Sequence, residues 1–73
     1  SSTLINYTTR QAAFVEISVY DLLGNNYASL VNEYKLPGSY SVRFNGCNLK
    51  NGMYLYKMRI GNQYQVKKMH LVK

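Results

Sequence analysis

Hydrophobic residues recur along this chain with a period of two. Val15, Ile17 and Val19 alternate with Glu16 and Ser18. Tyr40, Val42 and Phe44 alternate with Ser39, Ser41 and Arg43, and Tyr54, Tyr56, Met58 and Ile60 form a third run with Lys57 and Arg59 in its second half. Successive side chains on a pleated strand point to opposite faces, so each run buries one face and wets the other. The spacing predicts antiparallel strands, and the β-branched and aromatic residues that fill them agree. Val15, Ile17, Val19, Tyr40, Val42, Phe44, Tyr54 and Tyr56 are the expected inward residues.

Turn-forming residues separate these runs at short spacing: Gly24-Asn25-Asn26, Pro37-Gly38, Asn45-Gly46 through Asn51-Gly52, and Gly61-Asn62. The last has Gly first, which suits a two-residue type II′ hairpin turn. Strands are predicted over 3–8, 13–20, 27–32, 39–45, 53–60 and 63–72, with a short extra segment at 47–50 making a seventh. No stretch combines a helical period with helix caps. The final strand breaks its own alternation, because Tyr64 and Val66 share one parity while Met69 and Leu71 share the other. A β-bulge at Lys67-Lys68 would return both sets to the core side. The set predicts an all-β fold, an immunoglobulin-like antiparallel β-sandwich of six to seven strands.

Length limits what such a fold can do. Seventy-three residues, 1–73, make a single small domain with a lean core and no room for a deep catalytic cleft. Charge is unevenly placed within the net +6. Residues 1–36 set Arg10 and Lys35 against Glu16, Asp21 and Glu33, whereas residues 37–73 carry Arg43, Lys50, Lys57, Arg59, Lys67, Lys68 and Lys73 with no acid. Such a gradient suits an anionic partner. A solvated strand face, where Lys guards sheet edges against aggregation, also accounts for it, and for charge alone that reading takes precedence. One cysteine permits no disulfide within the chain and leaves the redox compartment open. No apolar run is long enough for a membrane-spanning helix. The chain begins without Met, in mid-pattern at Ser1-Ser2-Thr3-Leu4, and so reads as a piece of a longer protein with any export signal upstream.

Candidate chemistry is sparse. His70 is the only histidine, and its place beside Met69 and Leu71 predicts an outward side chain on a terminal strand. A dyad of Cys47 with His70 lacks a third group to orient the imidazole; Cys47 reads as a small, partly buried residue. Glu16, Asp21 and Glu33 form neither a glycosidase pair nor a calcium loop. One Cys and one His make no structural zinc site, and no phosphate-binding glycine motif occurs. The chain reads as a non-enzyme without cofactor or metal. Tyr54, Tyr56 and Tyr64 interleave with Lys57, Arg59, Lys67 and Lys68, which superficially suggests stacking plus phosphate contacts. On the fifth strand, however, the tyrosines have the parity opposite to the cations, and that predicts core tyrosines and no nucleic-acid platform. Gly52-Met53-Tyr54 also has the form of a tyrosine corner, in which the phenol bonds to a nearby backbone group.

In order along the chain stand Ile5-Asn6-Tyr7, Val15-Glu16-Ile17-Ser18-Val19-Tyr20-Asp21-Leu22-Leu23-Gly24, Leu30-Val31, Gly38-Ser39-Tyr40, Asn48 to Tyr56, and Lys67-Lys68-Met69-His70-Leu71-Val72-Lys73. This series resembles the type A C-terminal sorting domain of the type IX (Por) secretion system. The V-Y-D-x-x-G, G-x-Y-x-Y and closing K-K-x-x-x-V-K segments are its most specific parts. The resemblance implies a protein that crosses the inner membrane by an ordinary signal peptide and uses the folded domain as its address for outer-membrane translocation. It implies partners in the outer-membrane translocon, shuttle and sortase, a fused cargo domain upstream, and usual removal of the domain by the sortase at the cell surface. By the match, the sorting signal comprises Gly52, Tyr54, Lys67, Lys68, Met69, Leu71, Val72 and Lys73.

The chain departs from the family at its start, where the usual P-N-P-type opening is absent, at Asn25-Asn26, which replace a common Arg-Glu pair, and at Cys47, which replaces a small residue. The alternative reading is a flagellar-hook-cap-like or accessory immunoglobulin-like module of a secreted hydrolase, without an address. A carbohydrate- or nucleic-acid-binding module would need a clustered, exposed aromatic strip. The terminal strand is expected at an open edge, where a weak, salt-dependent homodimer could form against the repulsion of its lysines.

Overall fold

A computed structural model of the chain describes residues 2–46 and 49–72. Six strands run β1 (Ser2–Thr9), β2 (Ala13–Asp21), β3 (Asn26–Lys35), β4 (Gly38–Asn45), β5 (Gly52–Ile60) and β6 (Gln63–Leu71). They form two antiparallel sheets, a small one of order β1-β4 and a large one of order β3-β2-β5-β6. The chain passes between the sheets after β1, β3 and β4, while β2–β3 and β5–β6 are hairpins within the large sheet. The expected immunoglobulin-like sandwich is the fold observed. The short segment expected at 47–50 falls partly outside the described residues, and Leu49 and Lys50 are not strand.

The core follows the period of two. Val15, Ile17 and Val19 of β2 are fully buried, facing Ile5, Tyr7 and Phe44 of the small sheet and flanked by Tyr54 and Met58 of β5 in their own sheet. Tyr40, Val42 and Tyr56 are half-buried and pack against the same clusters, so all the expected inward residues face inward. β1 adds Ile5, Tyr7 and Thr9, three alternate positions whose spacing already carried the signal. The Tyr7 and Tyr40 rings, opposite each other in the register, stack with centroids 5.3 Å apart. Thr9 is buried, and its hydroxyl donates to the Leu36 carbonyl at 3.0 Å.

Two expectations fail, both on β6 at one edge of the large sheet. The β5–β6 register is continuous from Ile60↔Gln63 to Gly52↔Leu71, so no bulge interrupts Lys67-Lys68. The two-residue turn at Gly61-Asn62 fixes this parity: Gln63, Gln65, Lys67, Met69 and Leu71 share the inner face with Ile60, Met58, Tyr56, Tyr54 and Gly52. Tyr64 and Val66 therefore point outward, at 64% and 51% exposure, and do not join the core. The irregularity lies instead in β3, where Leu30 and Tyr27 are the extra residues at shifts opposite Ile17/Ser18 and Val19/Tyr20. Bulges of this kind bend a strand and re-aim side chains.

Replacing Ile17 by Ala removes a sealed side chain and is expected to lower the unfolding free energy by about 2–5 kcal/mol. Val66→Ala, on the outer face, is expected to shift it by no more than about 0.5 kcal/mol. Urea melts of the two variants check the parity of β2 and β6 together.

Candidate functional site

Two tyrosine corners hold the passages between the sheets. At the start of β5, Gly52 has φ 152°, a conformation that favours glycine, and Tyr54 folds back so that its hydroxyl donates to the Lys50 carbonyl at 2.9 Å. At the start of β4, Gly38 (φ 157°) precedes Tyr40, whose hydroxyl donates to the Leu36 carbonyl. Both have the form G-x-Y, and both phenols reach the carbonyl four residues back. The first matches the corner expected at Gly52-Met53-Tyr54. The second was signalled by the same spacing at Gly38-Ser39-Tyr40.

The V-Y-D-x-x-G segment is a turn built around one carboxylate. Asp21 Oδ1 accepts from the backbone N–H groups of Leu23 and Asn25, both at 2.9 Å. Its Oδ2 accepts from Asn25 Nδ2 at 2.9 Å and from the Tyr27 hydroxyl at 3.2 Å. The Gly24 N–H closes the turn on the Asp21 carbonyl at 3.1 Å. The bulge at Tyr27 aims that ring both at Asp21 and edge-on at Tyr54, with centroids 5.8 Å apart. The side-chain bond from Asn25 leads the effects that hold the Asp21 carboxyl below its ordinary value, while Asp21 in turn raises the Tyr27 phenol.

β6 is an edge strand, paired with β5 on one side only among the described residues. The sorting residues proposed from sequence divide there into two sets. Leu71 is buried at 2% exposure with Val19, Phe44 and Tyr54, and it packs so tightly over Gly46 that a Cβ there would meet both of its methyls at 2.7 Å. Met69 is half-buried against the same cluster, and Tyr54 and Gly52 belong to the corner. Lys67, Lys68 and Val72 are exposed, with Lys67 on the inner face and Lys68 on the outer. Lys73 and Cys47 lie outside the described residues. His70 is exposed on the outer face, opposite Met53.

The parting of aromatics from cations holds on β5 and fails across its neighbours. Tyr54 and Tyr56 face inward, but Tyr64 stands opposite Arg59 on the outer face, where Lys57 also lies over the Tyr20 ring at 4.9 Å. Arg59 pairs there with Glu16 at 3.6 Å. Among the described residues no group of three His, Cys, Asp or Glu side chains gathers as metal ligands would.

An antiparallel sandwich with paired tyrosine corners and a lysine-bearing edge strand defines a β-sandwich module whose last strand stands at a sheet edge. The chain matches the secretion-system C-terminal sorting domain family (the Por secretion tail) over residues 1–72, and it belongs to that family. Neither curated proteins nor solved structures gave a match. The domain is a type IX sorting signal: it serves export across the outer membrane, to the surface or beyond, and interacts with the type IX machinery. Its family is not one of enzymes.

Two substitutions test the motifs as structure. Tyr54→Phe is expected to cost about 0.5–1.5 kcal/mol, by losing the bond to the Lys50 carbonyl, in chemical denaturation. The carboxyl of Asp21 is lowered by folding, so its stabilisation is fully present above the ordinary value of 3.8 and is lost as pH falls through the lower, folded value. Melting temperature followed from neutral pH down to about pH 2 should fall less steeply for Asp21→Asn than for the parent chain.

Proposed function

We propose that Lys67, Lys68, Val72 and Lys73 are the residues read by the outer-membrane translocon and shuttle, while Gly52, Tyr54, Met69 and Leu71 act by building the strand that presents them. One observation carries this reading: β6 lies at an open sheet edge with Lys67 and Lys68 exposed on its two faces, whereas Leu71 is sealed in the core. An open edge can be read by strand addition, and its flanking cations add charge contacts. The domain would direct a cargo fused upstream through the periplasm and outer membrane to the cell surface, where a sortase removes it. Self-pairing along β6 would bring Lys67 and Lys68 close to their own copies, so a homodimer through this strand is weak and salt-dependent. Nucleic acid is not among the partners of this reading.

Truncation back through Leu71 would confuse recognition with unfolding. The informative variants are Lys67→Ala/Lys68→Ala and deletion of Val72-Lys73, each in a reporter fusion expressed in a type IX-competent bacterium. The reporter is expected to collect in the periplasm while the urea midpoint of the domain stays at its parental value. Undiminished surface delivery of both variants would refute the assignment. Leu71→Ala, expected to cost about 2–5 kcal/mol, shows what loss of folding alone does to export.

A further inference from the structure

Four strands end the two sheets, and three of them carry protection against pairing. β3 has Glu33, Lys35 and two bulges, β4 has Arg43, and β6 has Lys67 and Lys68. β1 has none. Ser2–Thr9 reads S-T-L-I-N-Y-T-T, without charge, proline or bulge and well suited to a strand. Among the described residues nothing pairs with its outer edge.

Beside that edge lies a cleft of about 870 Å³. Its wall is β1 with the turn into β2, and its floor is the inner face of the β5–β6 hairpin. The continuous register sets Gln63, Gln65 and Lys67 on this floor, where the small sheet does not reach. Arg10 and Lys67 are the cations of the lining, and no Asp or Glu among the described residues joins them. Met58 and Ile60 lie at the base of this floor, buried and half-buried, and the exposed side chains beside them, Gln63, Gln65 and Lys67, are polar or cationic. Carboxylates would meet a cation and amide donors.

We propose that this cleft docks an extended acidic segment of another polypeptide, which adds to β1 as the third strand of the small sheet and sets its carboxylates over Lys67. Strand addition supplies backbone hydrogen bonds along β1, and alternate side chains of the incoming strand reach the floor. A second copy of the chain is a poor occupant. It carries net +6, and its three acids are engaged, Glu16 with Arg59, Glu33 with Lys35, and Asp21 in its turn. The proposal goes beyond the sorting assignment, and its test needs no secretion apparatus.

The test titrates the isotope-labelled 73-residue chain with a short peptide of alternating valine and glutamate, and with its valine–lysine counterpart, by NMR. The glutamate peptide is expected to shift the Ser2–Thr9 amides and the Gln63 and Gln65 side-chain amides, and to slow hydrogen exchange along β1. Lys67→Glu, at an exposed position, should weaken that peptide at least about tenfold and make the lysine peptide the tighter binder, with the melting temperature unchanged. Any of the following would overturn the proposal: no shifts with the glutamate peptide, equal binding of both peptides, or shifts confined to the outer edge of β6. Protection of β1 that rises with protein concentration alone would assign the edge to a second copy and equally overturn it.

Discussion

β2 has a hydrogen-bonded neighbour on each side and the small sheet across from it, so Val15, Ile17 and Val19 are sealed at 0% exposure. Nearly everything else in the fold borders on those three side chains. Ile5, Tyr7 and Met58 close around Val15 and Ile17, while Phe44, Tyr54 and Leu71 close around Val19. A chain this short buries too little surface to spare any of them, so each strand is tied to the stability of the whole.

The tyrosine corners show how so small a core keeps two sheets in register. Each phenol lies against the core with its hydroxyl reaching a carbonyl at a passage between sheets, so one side chain both packs and fastens. The Leu36 carbonyl accepts from Tyr40 and also from Thr9, which joins the end of β1 to the start of β4. Asp21 does similar work for the β2–β3 turn, with four donors on one carboxylate. Two of the most specific motifs, V-Y-D-x-x-G and G-x-Y-x-Y, are thus accounted for by folding before any recognition is invoked.

Alternation was a sound guide where a strand is covered from end to end. β2, β4 and β5 could be read from it, down to the inward residues. β6 could not, because the small sheet covers only its Met69–Leu71 end, and its uncovered inner positions hold Gln63, Gln65 and Lys67 instead of apolar side chains. A period of two says which residues share a face, not which face has a lid. The turn at Gly61-Asn62 held the missing information, since a two-residue hairpin sets Ile60 opposite Gln63 and thereby the parity of the whole strand. The bulges of β3 left only a faint trace, the adjacent and both half-buried Leu30 and Val31. In the candidate site, the Gly52–Tyr54 corner was legible as a motif. Leu71, expected on the core side by its parity with Met69, is buried there, but resemblance alone placed it in the sorting signal because it does not separate residues that are read from residues that are packed.

Leu71 is also the member of the core that the ribosome makes last. Until it emerges, β5 lacks its outer neighbour, and Val19, Phe44 and Tyr54 lack their cover. Chains fold from the N terminus as they are synthesised, yet this one cannot finish until β6 is free. The sandwich therefore stays open on that side for as long as its last strand is held back. Its closure waits on the pairing of β6 with β5, which brings Leu71 opposite Gly52.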